Sequence, residues 1–178
     1  MVRSENLKTL DALEQEIPHL RRFARYISRD ADRADDLVQE CLARAVANID
    51  SWQPGTNLRA WLFVILRNVY RNELRKKALR TVPLQDDGNL GLSVEGGQET
   101  RVALLEANDA FLQLSDDHRE ILLLICVEGM SYEEVSGILE LPLGTVRSRL
   151  ARARISLREK MRAKEEKVGD QSKERSGG

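Results

Sequence analysis

Two short apolar-periodic runs on either side of a three-residue break constrain this chain more than any other feature in it. They lie in Gly129–Arg158, GMSYEEVSGILELPLGTVRSRLARARISLR. Ser131 with Glu134 has the pattern of a capping box, in which the serine oxygen and the glutamate carboxylate each take up an orphaned backbone N–H. Val135, Ile138 and Leu139 mark the buried face of the helix it starts. After the break at Glu140-Leu141-Pro142 a second helix turns Val146, Leu150 and Ala153 inward and carries Arg147, Arg149, Arg152, Arg154 and Arg158. Two short helices joined by a tight turn, the second one basic, make the geometry of a helix-turn-helix DNA reader.

Composition narrows the rest. Only 4% of residues are aromatic, and abundant Leu, Ala, Arg and Glu favour helices over a β-sandwich. A length of 178 residues supports one or two small domains. No apolar run approaches the roughly 20 residues of a membrane span; Ile121–Val127 has seven and reads as a buried helix. The start, MVRSENLKTL, lacks the continuous apolar segment of a secretory signal, so the expected compartment is the cytoplasm, with no membrane partner. Cys41 and Cys126 occupy apolar helix positions and read as buried thiols. His19 and His118 are isolated and read as surface or capping residues. No nucleophile–base set, metal cluster or phosphate loop is present in the sequence, so neither enzyme chemistry nor a metal or other cofactor is expected.

The formal net charge of −1 conceals a division along the chain. Leu58–Arg80 holds seven Lys/Arg against one Glu, and Leu143–Lys164 holds eight against one. Between them, Leu84–Asp116 holds seven acids and one arginine. Two basic segments around an acidic one point to two contacts with a polyanion and a connector that stays off it. Two solvated helix faces are the plain alternative.

From the N-terminus, Leu7, Leu10, Leu13 and Ile17 recur at helical spacing, and Pro18 suits a first turn, where its missing N–H costs nothing. Leu20, Phe23, Ala24 and Ile27 continue an apolar stripe to about Ser28. From Asp30 or Asp32 a long amphipathic helix buries Ala34, Leu37, Val38, Cys41, Leu42, Ala45, Val46 and Ile49. Its other face carries Asp32, Asp35, Asp36, Gln39 and Glu40. The helix dipole alone accounts for acids in an opening turn; a partner surface is the other reading. Pro54-Gly55 makes Ser51–Asn57 a loop, with Asn57 capping a helix that runs to about Arg80. Leu58, Trp61, Leu62, Ile65, Leu66, Val69 and Leu74 form that helix's core face. Arg59, Phe63, Arg67, Asn68, Tyr70, Arg71 and Arg75 project from the remaining surface. Exposed rings among arginines stack on unpaired bases while the cations hold phosphates, or Phe63 and Tyr70 are half-buried core edges. Trp52, at a turn tip with little core to fill, is harder to assign to packing.

Thr81 to about Gly97 sustains no period and reads as a flexible linker. In the unit that follows, Val102, Leu105, Ala107, Phe111 and Leu112 form the expected buried set of one helix. Ser115 caps the next, whose core is Ile121, Leu122, Leu124 and Ile125 and whose stop is Gly129. The expected architecture is all-α: helical domains at 1–80 and 100–162, an acidic flexible linker at 81–99 and a disordered tail at 163–178.

The stretches DLVQE, LRAWL and GTVRSRLARAR, in that order across an acidic linker, resemble the extracytoplasmic-function (ECF) sigma factors, small specificity subunits of bacterial RNA polymerase. Within that family, IPHLRRFAR and WQPGTNLRAWLF are most similar to the alphaproteobacterial general-stress (EcfG-type) group. The resemblance implies that residues 1–80 are region 2 and residues 100–162 region 4. It places Asp35, Asp36, Gln39 and Glu40 against the clamp helices of the polymerase β′ subunit, with the β flap as a further core contact. It assigns Trp52, Asn57, Arg59, Phe63, Arg67, Asn68 and Arg71 to the opened single strand of the −10 element. It assigns Thr145, Arg147, Ser148, Arg149 and Arg152 to the −35 major groove, with Arg147 and Arg152 as guanine readers and Arg149 and Arg154 as backbone contacts. Pro142 stands where many relatives have a capping Ser, and Glu140 where Gly is frequent. An anti-sigma protein, NepR-like in the general-stress group, is the implied sequestering partner. The competing reading is a sigma mimic that binds an anti-sigma protein and never touches DNA; retained arginines on both DNA faces argue against it.

Overall fold

The computed structural model describes residues 2–78 and 107–175, with side chains for residues 10–77 and 107–163. Among them every regular element is helical: α1 (Val2–Ser28), α2 (Ala31–Ala47), a 3-10 turn (Ile49–Ser51), α3 (Leu58–Ala78), α4 (residues 107–112), α5 (Asp116–Leu122), a π-helical stretch (Leu123–Val127), α6 (Tyr132–Leu139) and α7 (Leu143–Arg175). The expected linker at 81–99, and Val102 and Leu105, lie outside the described residues.

The caps form as the sequence dictates. Asp30 accepts from the Arg33 N–H at 3.0 Å and starts α2. Asn57 Oδ1 accepts from the Ala60 N–H at 3.2 Å and starts α3. Ser131 and Glu134 close both bonds of the capping box on α6. Ser115 has N-cap geometry without a side-chain bond, so α5 begins on its carbonyl alone. Leu20, Phe23, Ala24, Ala34, Leu37, Cys41, Leu62 and Leu66 form the core of the first unit. Ile121, Leu124, Val135, Ile138, Val146, Leu150 and Ala153 form that of the second. The two join in one contiguous cluster, because α3 packs on α6 as well as on α1 and α2, and α1 also meets α5.

Several expectations are corrected. The helix that Pro18 was to begin is continuous from Val2, with the proline in its interior. A missing hydrogen bond and a ring clash cost about 3 kcal/mol there, and the buried Leu13, Leu20 and Phe23 anchor the helix on both sides. Phe63 does not project outward: it is 0% exposed, with its ring 4.9 Å from that of Phe23. A helix gripped on three sides has no free face at that position. Cys126 is exposed rather than buried, and Val46 also faces solvent. His19 is neither a surface nor a capping residue but pairs with a buried carboxylate, as set out below. Of the expected α4 core, Ala107, Phe111 and Leu112 are half-buried, while Asn108, Ala110 and Leu114 are the enclosed positions. The expected disordered tail is helical through Arg175; Lys, Glu and Gln keep high helix propensity without an apolar face. Among the described residues no helix is long and apolar enough to cross a membrane, and no His/Cys/Asp/Glu group is arranged to hold a metal.

Candidate nucleic-acid interface

The acidic face of α2 stands in solvent, opposite its buried stripe of Ala34, Leu37, Val38, Cys41 and Ala45. Asp36 and Gln39 are exposed. Asp35 faces Arg21 at 3.3 Å and Glu40 holds Arg44 at 2.7 Å, both exposed pairs of small energetic weight. The face is therefore open to a partner of opposite charge.

The loop after the 3-10 turn bends at Gly55, whose φ of +92° needs glycine. Thr56 Oγ1 donates to the Gln53 carbonyl at 2.7 Å and tightens the tip. Trp52 is half-buried at its base, and its enclosed indole N–H meets no acceptor among the described residues. From Asn57 onward each polar residue of α3 assigned to DNA, Asn68 excepted, is engaged. The Asn57 amide donates to Glu134 Oε1 at 2.6 Å. Arg59 donates through Nε to Glu16 of α1. Arg67 Nε donates to Glu120 of α5 at 2.8 Å, each side chain only 14% exposed. Arg71 donates to Glu140 at 2.9 Å. Asn68 is half-buried, and Phe63 belongs to the core. Tyr70 is committed to the fold: its hydroxyl donates to the Ile27 carbonyl at 2.7 Å and its ring lies under Arg33 at 5.1 Å.

The second basic face is different. In α7 the Pro142 carbonyl accepts from the Thr145 and Val146 N–H groups at 2.8 and 3.1 Å, so the proline starts the helix without a side-chain cap. Val146, Leu150 and Ala153 are buried, which turns Arg147, Ser148, Ala151 and Arg152 outward. Arg152 Nε rests on the Ser148 carbonyl at 3.3 Å, and Ser148 Oγ donates to the Thr145 carbonyl at 3.1 Å. Thr145 is half-buried at the entrance. Arg149 is held by Asp117 at 3.1 Å, which places it at the edge of the face. Arg154, on the far side, lies 3.9 Å from the Cys126 sulfur.

Sequence reasoning missed three polar residues that organise this surface. Glu128 has a side chain with no exposed area and receives His19 Nδ1 at 2.6 Å and Arg22 Nε at 2.8 Å from α1. Arg119 is buried and donates to the Leu112 carbonyl at 3.1 Å, closing the end of α4. Glu120 is the buried partner of Arg67. Burial raises its carboxyl above the ordinary value, and the Arg67 charge and hydrogen bond oppose that rise. The sequence signal for the three was the presence of charges at the two ends of the apolar run Ile121–Val127. For Glu134, burial also raises the carboxyl, but bonds from the Ser131 backbone, Asn57 and the Ser131 hydroxyl outweigh it and leave the group below its ordinary value.

Comparison with known proteins bears on both units. Residues 13–67 match the family described as the Sigma2 domain of PhyR, and residues 104–157 match Sigma-70, region 4. The chain is 45% identical over 141 residues to the ECF RNA polymerase sigma factor EcfG of Rhodopseudomonas palustris, covering 79% of this chain and 78% of that protein. It is 35% identical to the ECF RNA polymerase sigma factor SigC of Mycobacterium tuberculosis over 76% of this chain and 74% of that one. Among solved structures it is similar to the sigma factor RpoE of Bartonella quintana in complex with the anti-sigma factor NepR. That match has a TM-score of 0.73 and 35% identity over 87% of this chain and 97% of that chain.

Proposed function

This chain belongs to the ECF RNA polymerase sigma factors, and from that premise we propose that it binds core polymerase and directs it to promoters, those of a general stress response in particular. The observation that carries the reading is the exposed face of α7, Arg147, Ser148 and Arg152, set square to its buried stripe on a well-capped helix-turn-helix. A recognition helix so built enters the −35 major groove, where each bidentate arginine–guanine pair supplies roughly 1–3 kcal/mol of discrimination.

The exposed polar residues of α2, Asp36 and Gln39 with Asp35 and Glu40 beside them, form the core-polymerase face on the β′ clamp helices, and region 4 meets the β flap. Trp52, with its unengaged indole N–H, and Asn57, Arg59, Arg67, Asn68 and Arg71 along α3 hold the opened −10 strand. Unstacking a base costs a few kcal/mol, and stacking on a ring returns roughly 1–3 kcal/mol, so capture uses the loop and the cations together. The chain supplies specificity and catalyses nothing itself. It acts in the cytoplasm, and a NepR-like anti-sigma protein is its sequestering partner, a reading supported by the complex of the similar RpoE with the anti-sigma factor NepR.

The match of residues 13–67 to the Sigma2 domain of PhyR favours one second reading, an anti-sigma decoy. Transcription with purified chain and competent core polymerase on a promoter library separates the two. Promoter-dependent transcripts are expected; none, together with intact binding to an anti-sigma protein, would leave the decoy.

A further inference from the structure

A cavity of about 180 Å³ opens where α1, α3 and α5 meet the π-helical stretch. Its apolar walls are Ile27 of α1, Leu74 of α3 and Leu123 of the π-helical stretch, with the rings of Tyr26 and Tyr70 beside them. A cavity of about 150 Å³ takes benzene, and sites for drug-sized molecules begin at about 300 Å³. The volume therefore suits one ring with a small substituent and is too small for a nucleotide.

The polar groups on the wall decide what that substituent is. Tyr70 donates to the Ile27 carbonyl at 2.7 Å and Tyr26 to Asn108 at 3.3 Å, so neither hydroxyl has its proton left for a ligand. Arg67 is different. It is bonded through Nε alone, to Glu120 at 2.8 Å, and its terminal nitrogens meet no acceptor among the described residues. Nη1 is enclosed, and Nη2 is left to the cavity that the residue lines. A guanidinium has five donors, and a donor withdrawn from water without an acceptor is costly. The side chain is only 14% exposed and is pinned by Glu120, so its free edge stays inside. Charge agrees with this. The wall carries the guanidinium groups of Arg67, Arg71 and Arg119 against the carboxylates of Asp116 and Glu120, and the Asp116 side chain is 78% exposed, where solvent screens it. Arg71 meets Glu140 only at the exposed rim.

We propose that this cavity is a binding site for a small aromatic monocarboxylate, its ring among Tyr26, Tyr70, Leu74 and Leu123 and its carboxylate on the free edge of Arg67. A charge-assisted bond of this kind is the strongest the wall offers. The lining comes from both units, so a molecule seated there is held by the two together and stabilises the folded chain by mass action. The site is thus a place where a small acid from the surroundings can act on the chain directly.

The test uses the full chain with benzoate as the probe, and benzyl alcohol and acetate as controls lacking the charge and the ring. Titration followed on the methyl resonances of Ile27, Leu74 and Leu123 should show saturable one-to-one binding of benzoate. Benzyl alcohol should bind roughly 10–150-fold more weakly, the loss of one hydrogen bond to a charged group, and acetate should not saturate over the same range. Arg67→Gln should bring benzoate down to the level of benzyl alcohol. That variant also strips Glu120 of its partner and can unfold the chain, so Leu74→Phe, which fills the cavity from a half-buried position and removes no charge, is the second variant. It should abolish benzoate binding with helicity unchanged, and benzoate should raise the denaturation midpoint of wild type but not of Leu74→Phe. No saturable shift in wild type overturns the proposal. Equal affinity for benzyl alcohol overturns it as well, and so does benzoate binding that survives Leu74→Phe in a folded chain.

Discussion

Helices α3 and α7 are both rich in arginine, yet their cations stand in opposite states. On α3, Arg59, Arg67 and Arg71 each hold a glutamate, from α1, from α5 and from the turn before α7. On α7, Arg147 and Arg152 face solvent and meet no carboxylate among the described residues. The difference does not lie in the helices, which carry similar charge. It lies in what packs on them: α3 is enclosed by α1, α2 and α6, while α7 packs mainly on α5 and α6. Basic character read along a chain therefore gives capacity for anions, and tertiary neighbours decide whether that capacity is free.

The comparison breaks most severely at Phe63. If α3 is a core helix with a charged edge, Phe63→Ala should lower unfolding free energy by about 3–5 kcal/mol, read by chemical denaturation. A loss confined to strand binding, with stability intact, would return Phe63 to the reading face. Next in size is a matched pair of arginines. Arg67→Ala strips a buried carboxylate of its partner and should cost about 3 kcal/mol at neutral pH, whereas exposed Arg147→Ala should stay within about 0.5 kcal/mol. The sign with pH follows from Glu120. A carboxyl raised by burial favours the folded chain below its unfolded value and loses that contribution as pH rises through the raised one. The cost of Arg67→Ala should accordingly shrink as acidification protonates Glu120, a trend that denaturation midpoints across mildly acidic pH would show or refute.

Binding sharpens the comparison further. Arg152→Ala should weaken discrimination at its −35 base pair by roughly 1–3 kcal/mol, with core affinity unchanged in a competition assay. Loss of core affinity instead would mean that the exposed α7 face belongs to polymerase. The smallest effect needs no mutation. Cys41 lies behind α3, its thiol beside the Leu62 carbonyl at 3.5 Å and pushed up to about 12 by burial, while Cys126 is exposed near α7. A maleimide reagent should label Cys126 in the native chain and reach Cys41 only on unfolding; equal rates would contradict the packing of α2 on α3.

The helices were legible in the sequence wherever one face alone is buried, as in α2, α6 and the first turns of α7, and so were the caps at Asp30, Asn57 and Ser131. The outward set Arg147, Ser148 and Arg152 followed from the inward set by geometry alone. Legibility failed where an element is enclosed on several sides. The three-sided burial of α3 left Phe63 without a period to betray it, and the interior position of Pro18 contradicts its local preference. Nor did the charges show their partners. Arg67 and Glu120 are 53 positions apart, and Arg71 and Glu140 are 69, with the undescribed connector between. Complementary signs on separate segments are compatible with many pairings until the helices are docked.

The π-helical stretch Leu123–Val127 has a consequence for how such a chain tolerates changes in length. The Glu128 N–H bonds to the Leu123 carbonyl, five residues back rather than four, so this turn holds one more residue than a regular helix. Four successive apolar side chains, Ile121 to Leu124, are buried here, and Glu128 emerges pointing at α1. Removing a single residue from the stretch would let four residues close the turn that five close now, so ordinary pitch returns with Glu128 still above Leu123 and aimed at His19 and Arg22. A deletion in a regular helix has no such reserve and rotates everything after it by about 100°. A one-residue deletion is therefore absorbed at this turn, whereas the same deletion within α5 would misdirect the whole helix-turn-helix.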